Sequence, residues 1–155
     1  MCSIIRLLAT PFLVLTITFA FSFGNATCTL AERLSLVQSA AFVGTEFAWL
    51  ATVSGDLWLT KNAGASWAMM PSGTIGHFGC VSFIDERLGW AISSGEQVWR
   101  TKDGGNTWAA IAKLEHPRKG VIAEQISFID KLHGWAIAPP YFIWRTIDGG
   151  NSWEL

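Results

Sequence analysis

The side chains with chemistry to offer are few, and several of them recur. Asp85 and Asp130 occupy equivalent places in two similar stretches, as do Asp103 and Asp148. Paired carboxylates are what general acid–base catalysis requires. Recurrence in register argues for another use, because an aspartate at the head of a turn accepts the backbone N–H groups just ahead of it. His77 and Cys80 form a His-x-x-Cys pair, but a metal site needs more ligands than this; they read as a loop residue and a core thiol. Neither a Gly-x-Ser-x-Gly elbow nor a GxGxxG loop opening a helix is present, so no triad hydrolase, phosphate cradle or cofactor is called for. Arg100 and Arg145 each follow a strand tryptophan and recur 45 residues apart, with Leu59 in the corresponding place of an earlier copy. Two readings stay open for them: a stem packed along a sheet edge with its head in water, or a row of guanidinium groups meeting an acidic partner.

The elements that must position these residues come from a repeat. Three 26-residue windows align without a gap, Phe42–Trp67, Phe83–Trp108 and Phe128–Trp153, and they start 41 and then 45 residues apart. Each carries three tryptophans at fixed offsets: Trp49, Trp58 and Trp67, then Trp90, Trp99 and Trp108, then Trp135, Trp144 and Trp153. Segments such as Trp90-Ala91-Ile92 and Gln97-Val98-Trp99-Arg100-Thr101 have the β-branched and aromatic content of strands, and Ser94-Gly95-Glu96 and Asp103-Gly104-Gly105-Asn106 supply turn chemistry. Only Leu30–Ser39 allows a short helical turn. A period of 40 to 50 residues with about four strands per unit predicts an all-β fold, a partial β-propeller of about three blades, with a β-solenoid as the rival.

Within each window the turn is spelled alike. Thr101, Asp103, Gly105, Thr107 and Trp108 in one copy, and Thr146, Asp148, Gly150, Ser152 and Trp153 in the next, fit the pattern Ser/Thr-x-Asp-x-Gly-x-Ser/Thr-Trp; Thr60, Asn62, Gly64, Ser66 and Trp67 form a degenerate copy with an amide in place of the acid. The glycine supplies a conformation other residues resist, the hydroxyl closes the loop from its far side, and the tryptophan buries a large apolar face. Asn62 can still accept such bonds, with a slightly weaker turn expected. These motifs resemble the Asp-box, or BNR repeat. The fuller pattern, Phe-x-Asp-x-x-x-Gly-Trp-Ala followed by Ile/Val-Trp-Arg-Thr-x-Asp-Gly-Gly-x-Ser/Thr-Trp, resembles the photosystem II stability/assembly factor-like family. That resemblance covers Phe42 to the end and implies exported, seven-bladed, non-catalytic propellers that help assemble membrane protein complexes, with a protein partner. Asp-boxes also occur in sialidases, which resemble one another in using an arginine cluster, a Tyr nucleophile with a Glu partner, and an Asp acid. The chain's one tyrosine, Tyr141, lies beside Pro139-Pro140, and no Phe/Tyr-Arg-Ile-Pro motif occurs. A glycan-binding or sialidase-like protein, or a truncated propeller fragment without independent function, are the alternatives to the scaffold reading.

The first 26 residues read differently. One charge, Arg6, precedes an apolar run from Pro11 to Phe23, and Gly24-Asn25-Ala26 offers small residues for cleavage after Ala26. This is the layout of a signal peptide, and the run is shorter than the roughly 20 residues a bilayer crossing needs; counted back to Leu7, it becomes a membrane anchor in the alternative reading. Domain organisation is then a leader over 1–26, an N-terminal segment over 27–41, and three repeats over 42–155. The expected location is the periplasm, a thylakoid lumen or the extracellular space. There Cys28 and Cys80 could pair, although Cys80 is also a typical buried small apolar residue. A formal net charge of −1 and a basic stretch no longer than His116-Pro117-Arg118-Lys119 exclude a nucleic-acid footprint. Three blades leave sheet edges and blade faces uncovered, so self-association to complete the propeller is a further expectation.

Overall fold

The computed structural model describes residues 37–71, 77–93, 95–115, 122–139 and 142–155. The leader, Cys28, Pro140, Tyr141 and the segment 116–119 lie outside the described residues. Among the described residues, eleven strands form three antiparallel sheets, each a simple up-and-down meander. The first sheet runs β1 (Val37–Val43), β2 (Phe47–Thr52), β3 (Leu57–Thr60) and β4 (Ala68–Met70). The second runs β5 (Phe78–Phe83), β6 (Gly89–Ser93), β7 (Gln97–Thr101) and β8 (Ala109–Lys113). The third holds β9 (Gln125–Phe128), β10 (Gly134–Ala138) and β11 (Phe142–Thr146), with a fourth strand begun by the bridge between Arg145 and Glu154.

The helical turn expected over Leu30–Ser39 does not form in its described part. Val37–Ser39 belongs to β1, which pairs with β2, because a weak local helical preference yields to tertiary pairing. Among the described residues there is no helix, and hence none long and apolar enough to cross a membrane.

Sheet packs on sheet through aromatic residues. Between the first and second sheets lie Trp49, Ala51, Leu57 and Leu59 from one side and Phe78, Val81, Phe83 and Ala91 from the other; between the second and third lie Trp90, Ile92 and Val98 against Ile126, Phe128 and Ala136. Trp49 stacks on Phe83 with ring centroids 3.8 Å apart and planes 6° from parallel, and Trp90 repeats this on Phe128 at 3.7 Å and 4°. At roughly 25 cal/mol per Å², and about 200 Å² buried per tryptophan, each such residue contributes on the order of 5 kcal/mol before entropy is counted.

The Phe-x5-Gly-Trp spelling has a steric reason. Phe83 pairs with Gly89 across β5 and β6, and Phe128 with Gly134 across β9 and β10. A Cβ on Gly89 would lie 2.4 Å from the Phe83 ring, and one on Gly134 would lie 2.7 Å from that of Phe128. The absent side chain lets the ring lie flat, where the tryptophan of the preceding blade covers it. In the first copy Ala48 stands at the glycine position, and Phe42 is 65% exposed.

Candidate functional site

Two of the three turns are built around a hydroxyl and a carboxylate, and the first around a hydroxyl and an amide. Thr101 Oγ1 donates to Asp103 Oδ1 at 2.7 Å and accepts from the backbone N–H groups of Asp103 (3.3 Å) and Gly105 (2.9 Å). Asp103 Oδ1 accepts from Thr107 N at 2.8 Å, and Asp103 Oδ2 from Thr107 Oγ1 at 2.5 Å. The third copy repeats this. Thr146 Oγ1 donates to Asp148 at 2.8 Å and accepts from Gly150 N at 3.0 Å, while Asp148 accepts from Ser152 N (3.0 Å), Ser152 Oγ (2.6 Å) and Asn151 N (3.0 Å). Gly105 and Gly150 hold φ of 97° and 88°, where an L side chain is strained. The closing indoles fold back: Trp108 Nε1 donates to Gly105 O at 3.1 Å and Trp153 Nε1 to Gly150 O at 3.0 Å.

The degenerate copy closes with one bond reversed. Asn62 Oδ1 accepts from Thr60 Oγ1 and Ser66 N, both at 2.9 Å, and its Nδ2 donates to Ser66 Oγ, also at 2.9 Å. Gly64 N donates to Thr60 Oγ1 at 3.0 Å. An amide can therefore replace the acid, at the loss of a charge-assisted acceptor.

Electrostatics follow the bonds. Partial burial pushes the Asp148 carboxyl up, but bonds from Ser152, Thr146 and Asn151 outweigh it and bring the pKa down to about 2. The same balance lowers Asp103. Asp130 is held at about 2 by the backbone N–H groups of His133 and Leu132, 2.8 and 2.7 Å away, and by the His133 ring. Asp85 accepts equally from Arg87 N and Leu88 N, both at 2.7 Å. All four recurring aspartates thus spend their carboxylates inside their own turns.

The turns also join one blade to the next. Trp49 Nε1 donates to Gly104 O at 2.9 Å, and Trp90 Nε1 to Gly149 O at 2.8 Å. Arg100 lies across from Trp90 in the β6–β7 register, and its Nη1 sits 3.4 Å from the same Gly149 oxygen. Arg100 is therefore placed at a blade interface, half-buried, while Arg145 is exposed. The sequence does not bring the two guanidinium groups into one equivalent setting.

His77 and Cys80 do not form a pair of ligands. A Cβ on Gly55 would meet the exposed His77 ring at 2.7 Å, whereas Cys80 is a buried free thiol whose pKa burial pushes up to about 12. Among the described residues no group of three His, Cys, Asp or Glu side chains converges as a metal site would require.

Reasoning along the sequence missed the cross-blade bonds. It also missed Ser39 Oγ and Ser82 Oγ, which accept from Val81 N and Phe128 N of the following blade at 3.1 and 3.0 Å. The available signal was a serine three residues before the aligned phenylalanine in one copy (Ser39 and Phe42) and one residue before it in the next (Ser82 and Phe83), which is too irregular to stand out.

Stacked meanders of four, four and three strands, closed by Asp-box turns and joined by tryptophans, define a partial β-propeller. A family model described as photosynthesis system II assembly factor YCF48 matches residues 77–155, half of the chain, and the chain belongs to that family. No curated protein sequence matches it. Among solved structures, YCF48 bound to a D1 peptide is 24% identical with a TM-score of 0.65, over 77% of this chain and 39% of that one. YCF48 from Cyanidioschyzon merolae is 21% identical with a TM-score of 0.61, over 77% and 36%. A GH74 xyloglucanase from Xanthomonas campestris is 13% identical with a TM-score of 0.58, over 77% and 23%. At these identities the likeness concerns the fold alone. The chain spans well under half of the length of each of these structures.

Proposed function

We propose that this protein is an exported, non-catalytic scaffold that holds a polypeptide segment of a membrane protein complex during its assembly, with photosystem II as the complex. The observation that carries the reading is the use made of the repeat carboxylates: Asp85, Asp103, Asp130 and Asp148 each accept bonds from their own turns. Acid–base cleavage of a glycoside needs two carboxyl groups facing the substrate, and these four are committed elsewhere. Family membership supports the assembly role, and a YCF48 structure holding a D1 peptide supports a polypeptide as the partner. The leader supports export. Arg145, exposed, is the cation we assign to an acidic partner, whereas Arg100, half-buried beside Gly149 O, belongs to the contact between blades.

The test is a titration of a fluorescently labelled D1 peptide with the full chain in mild detergent, read by anisotropy. Saturable binding that weakens with salt, and weakens about ten-fold or more in Arg145→Glu, is the expected result. Equal binding of a scrambled peptide, or no saturation up to millimolar protein, would overturn the proposal, as would hydrolysis of xyloglucan oligosaccharides by the same preparation.

A further inference from the structure

Of the chain's five aspartates, only Asp103 and Asp148 are followed by glycine; Asp56, Asp85 and Asp130 precede Leu57, Glu86 and Lys131. The turn itself imposes that pairing. A Cβ on Gly104 would lie 2.7 Å from Glu86 O, and one on Gly149 would lie 2.8 Å from Lys131 O, while both glycines hold φ of 74°, where a side chain is strained. An aspartate before glycine is the most reactive aspartyl bond of a polypeptide, because no side chain hinders the following nitrogen. That nitrogen attacks the aspartate Cγ: a C–N bond forms, the Cγ–OH bond breaks, and the hydroxyl leaves with the amide proton as water. Water then opens the resulting succinimide ring at either carbonyl. Opening at the former backbone carbonyl routes the chain through the side chain, as isoaspartate. One water leaves and one enters, so the step needs no reagent beyond the solvent.

The closed turn opposes each part of this step. The nucleophile is tied: Gly104 N donates to Arg87 O and Gly149 N to Leu132 O, both at 2.9 Å, so each N–H is spent on the neighbouring turn. The electrophile is tied as well. Asp103 accepts from Thr101 Oγ1, Thr107 N and Thr107 Oγ1, and Asp148 from Thr146 Oγ1, Asn151 N, Ser152 N and Ser152 Oγ. Partial burial favours the neutral acid, but these bonds outweigh it and hold both carboxyls in the ionised form, from which oxygen departs poorly. On its far side each glycine is gripped by the preceding blade, through Trp49 Nε1 on Gly104 O and Trp90 Nε1 on Gly149 O, and both glycines are buried. Ring closure therefore requires the turn to open locally.

We infer that Asp103-Gly104 and Asp148-Gly149 are the bonds at which this chain forms isoaspartate, and that they do so only when their Asp-box turns open. The change is a lasting mark of opening. Isoaspartate adds a methylene to the backbone path and leaves the free carboxyl on a stem one carbon shorter, which draws it away from the Thr107 or Ser152 hydroxyl. The glycine carbonyl is displaced from its indole at the same time, so the turn and the contact between blades are lost together. This chemistry belongs to the repeat turns and is independent of any bound polypeptide.

The test ages the full chain in mild detergent at mildly acidic pH, with and without urea, and locates isoaspartate by peptide mapping with electron-transfer fragmentation. In urea, Asp103 and Asp148 should isomerise ahead of Asp56, Asp85 and Asp130; without urea, both should be slower by at least about ten-fold. Thr107→Val and Ser152→Ala, at exposed positions, each remove one hydroxyl bond to a carboxylate, and circular dichroism checks that both variants fold. Thr107→Val should speed isomerisation at Asp103 by about three- to ten-fold, the worth of one hydrogen bond, and leave Asp148 unchanged; Ser152→Ala should do the reverse. Equal rates with and without urea, the other three aspartates keeping pace in urea, or variants that alter both sites alike or neither would each overturn the inference.

Discussion

Replacing the equivalent tryptophans one at a time by phenylalanine should produce unequal losses, in the order Trp49, then Trp90, then Trp135. Phenylalanine keeps most of the stacking ring and removes the indole N–H. At Trp49 the removed donor leaves Gly104 O buried with Leu59 as the residue across from the substitution, so an orphaned carbonyl adds about 1–3 kcal/mol to the loss of packed volume. The total is about 3–4 kcal/mol. At Trp90 the Arg100 guanidinium, already 3.4 Å from Gly149 O, can close on that oxygen, and the loss falls to about 2 kcal/mol. At Trp135, which is only half-buried, the change should stay within about 0.5 kcal/mol. Urea melts followed by far-ultraviolet circular dichroism at low protein concentration would measure all three, and the double variant Trp90→Phe with Arg100→Leu should fall to the Trp49→Phe level. Equal losses at the three sites, or a Trp135→Phe loss matching that of Trp49→Phe, would refute the reasoning that these residues join blades.

Three further outcomes follow from the turns and the core. Asp130 and Asp148 have folded pKa values near 2, below the ordinary value of 3.8, so their stabilisation is fully present above about pH 4 and is lost as pH falls towards 2; Asp148→Asn should flatten the acid limb of a pH series of melts while lowering the plateau at pH 7. Gly149→Ala places a Cβ 2.8 Å from Lys131 O at φ 74° and should cost at least about 2 kcal/mol, whereas Ala63→Gly relieves a left-handed alanine and should be neutral or stabilising by up to about 1 kcal/mol, both read from thermal melts. Cys80, buried with its pKa pushed up to about 12, should resist alkylation at pH 8 until urea unfolds the chain, which peptide mapping by mass spectrometry would show.

The parts of this fold that local sequence dictates were legible. Alternating Trp90-Ala91-Ile92 and Gln97–Thr101 read as strands and are β6 and β7, and the Asp103 and Asp148 turns could be drawn from the spelling, since every atom they need lies within a few residues. Relations between copies were not. The bond from Trp49 to Gly104 spans 55 residues and that from Trp90 to Gly149 spans 59, so no single-copy motif contains both ends. Arg100 illustrates the consequence: its recurrence with Arg145 suggested one shared role, yet Arg100 is half-buried against the following blade and Arg145 is exposed. Phe42 aligned with Phe83 and Phe128, but Ala48 stands where their glycines stand and Phe42 is exposed. The hub role of Thr101 and Thr146, each accepting two backbone N–H groups, was hidden because a threonine at a strand end reads first as a strand residue.

The measurement that bears most directly on the central claim, that the repeat turns are scaffold and a polypeptide is the ligand, is backbone hydrogen exchange of the full chain with and without the D1 peptide. The account predicts that the amides of Gly105, Thr107, Gly150 and Ser152, all held by side-chain acceptors, exchange as slowly as those of β6 and do not respond to the peptide, while slowing appears elsewhere on the blades. Fast exchange at those four amides in the free chain, or slowing confined to them when peptide is added, would contradict it.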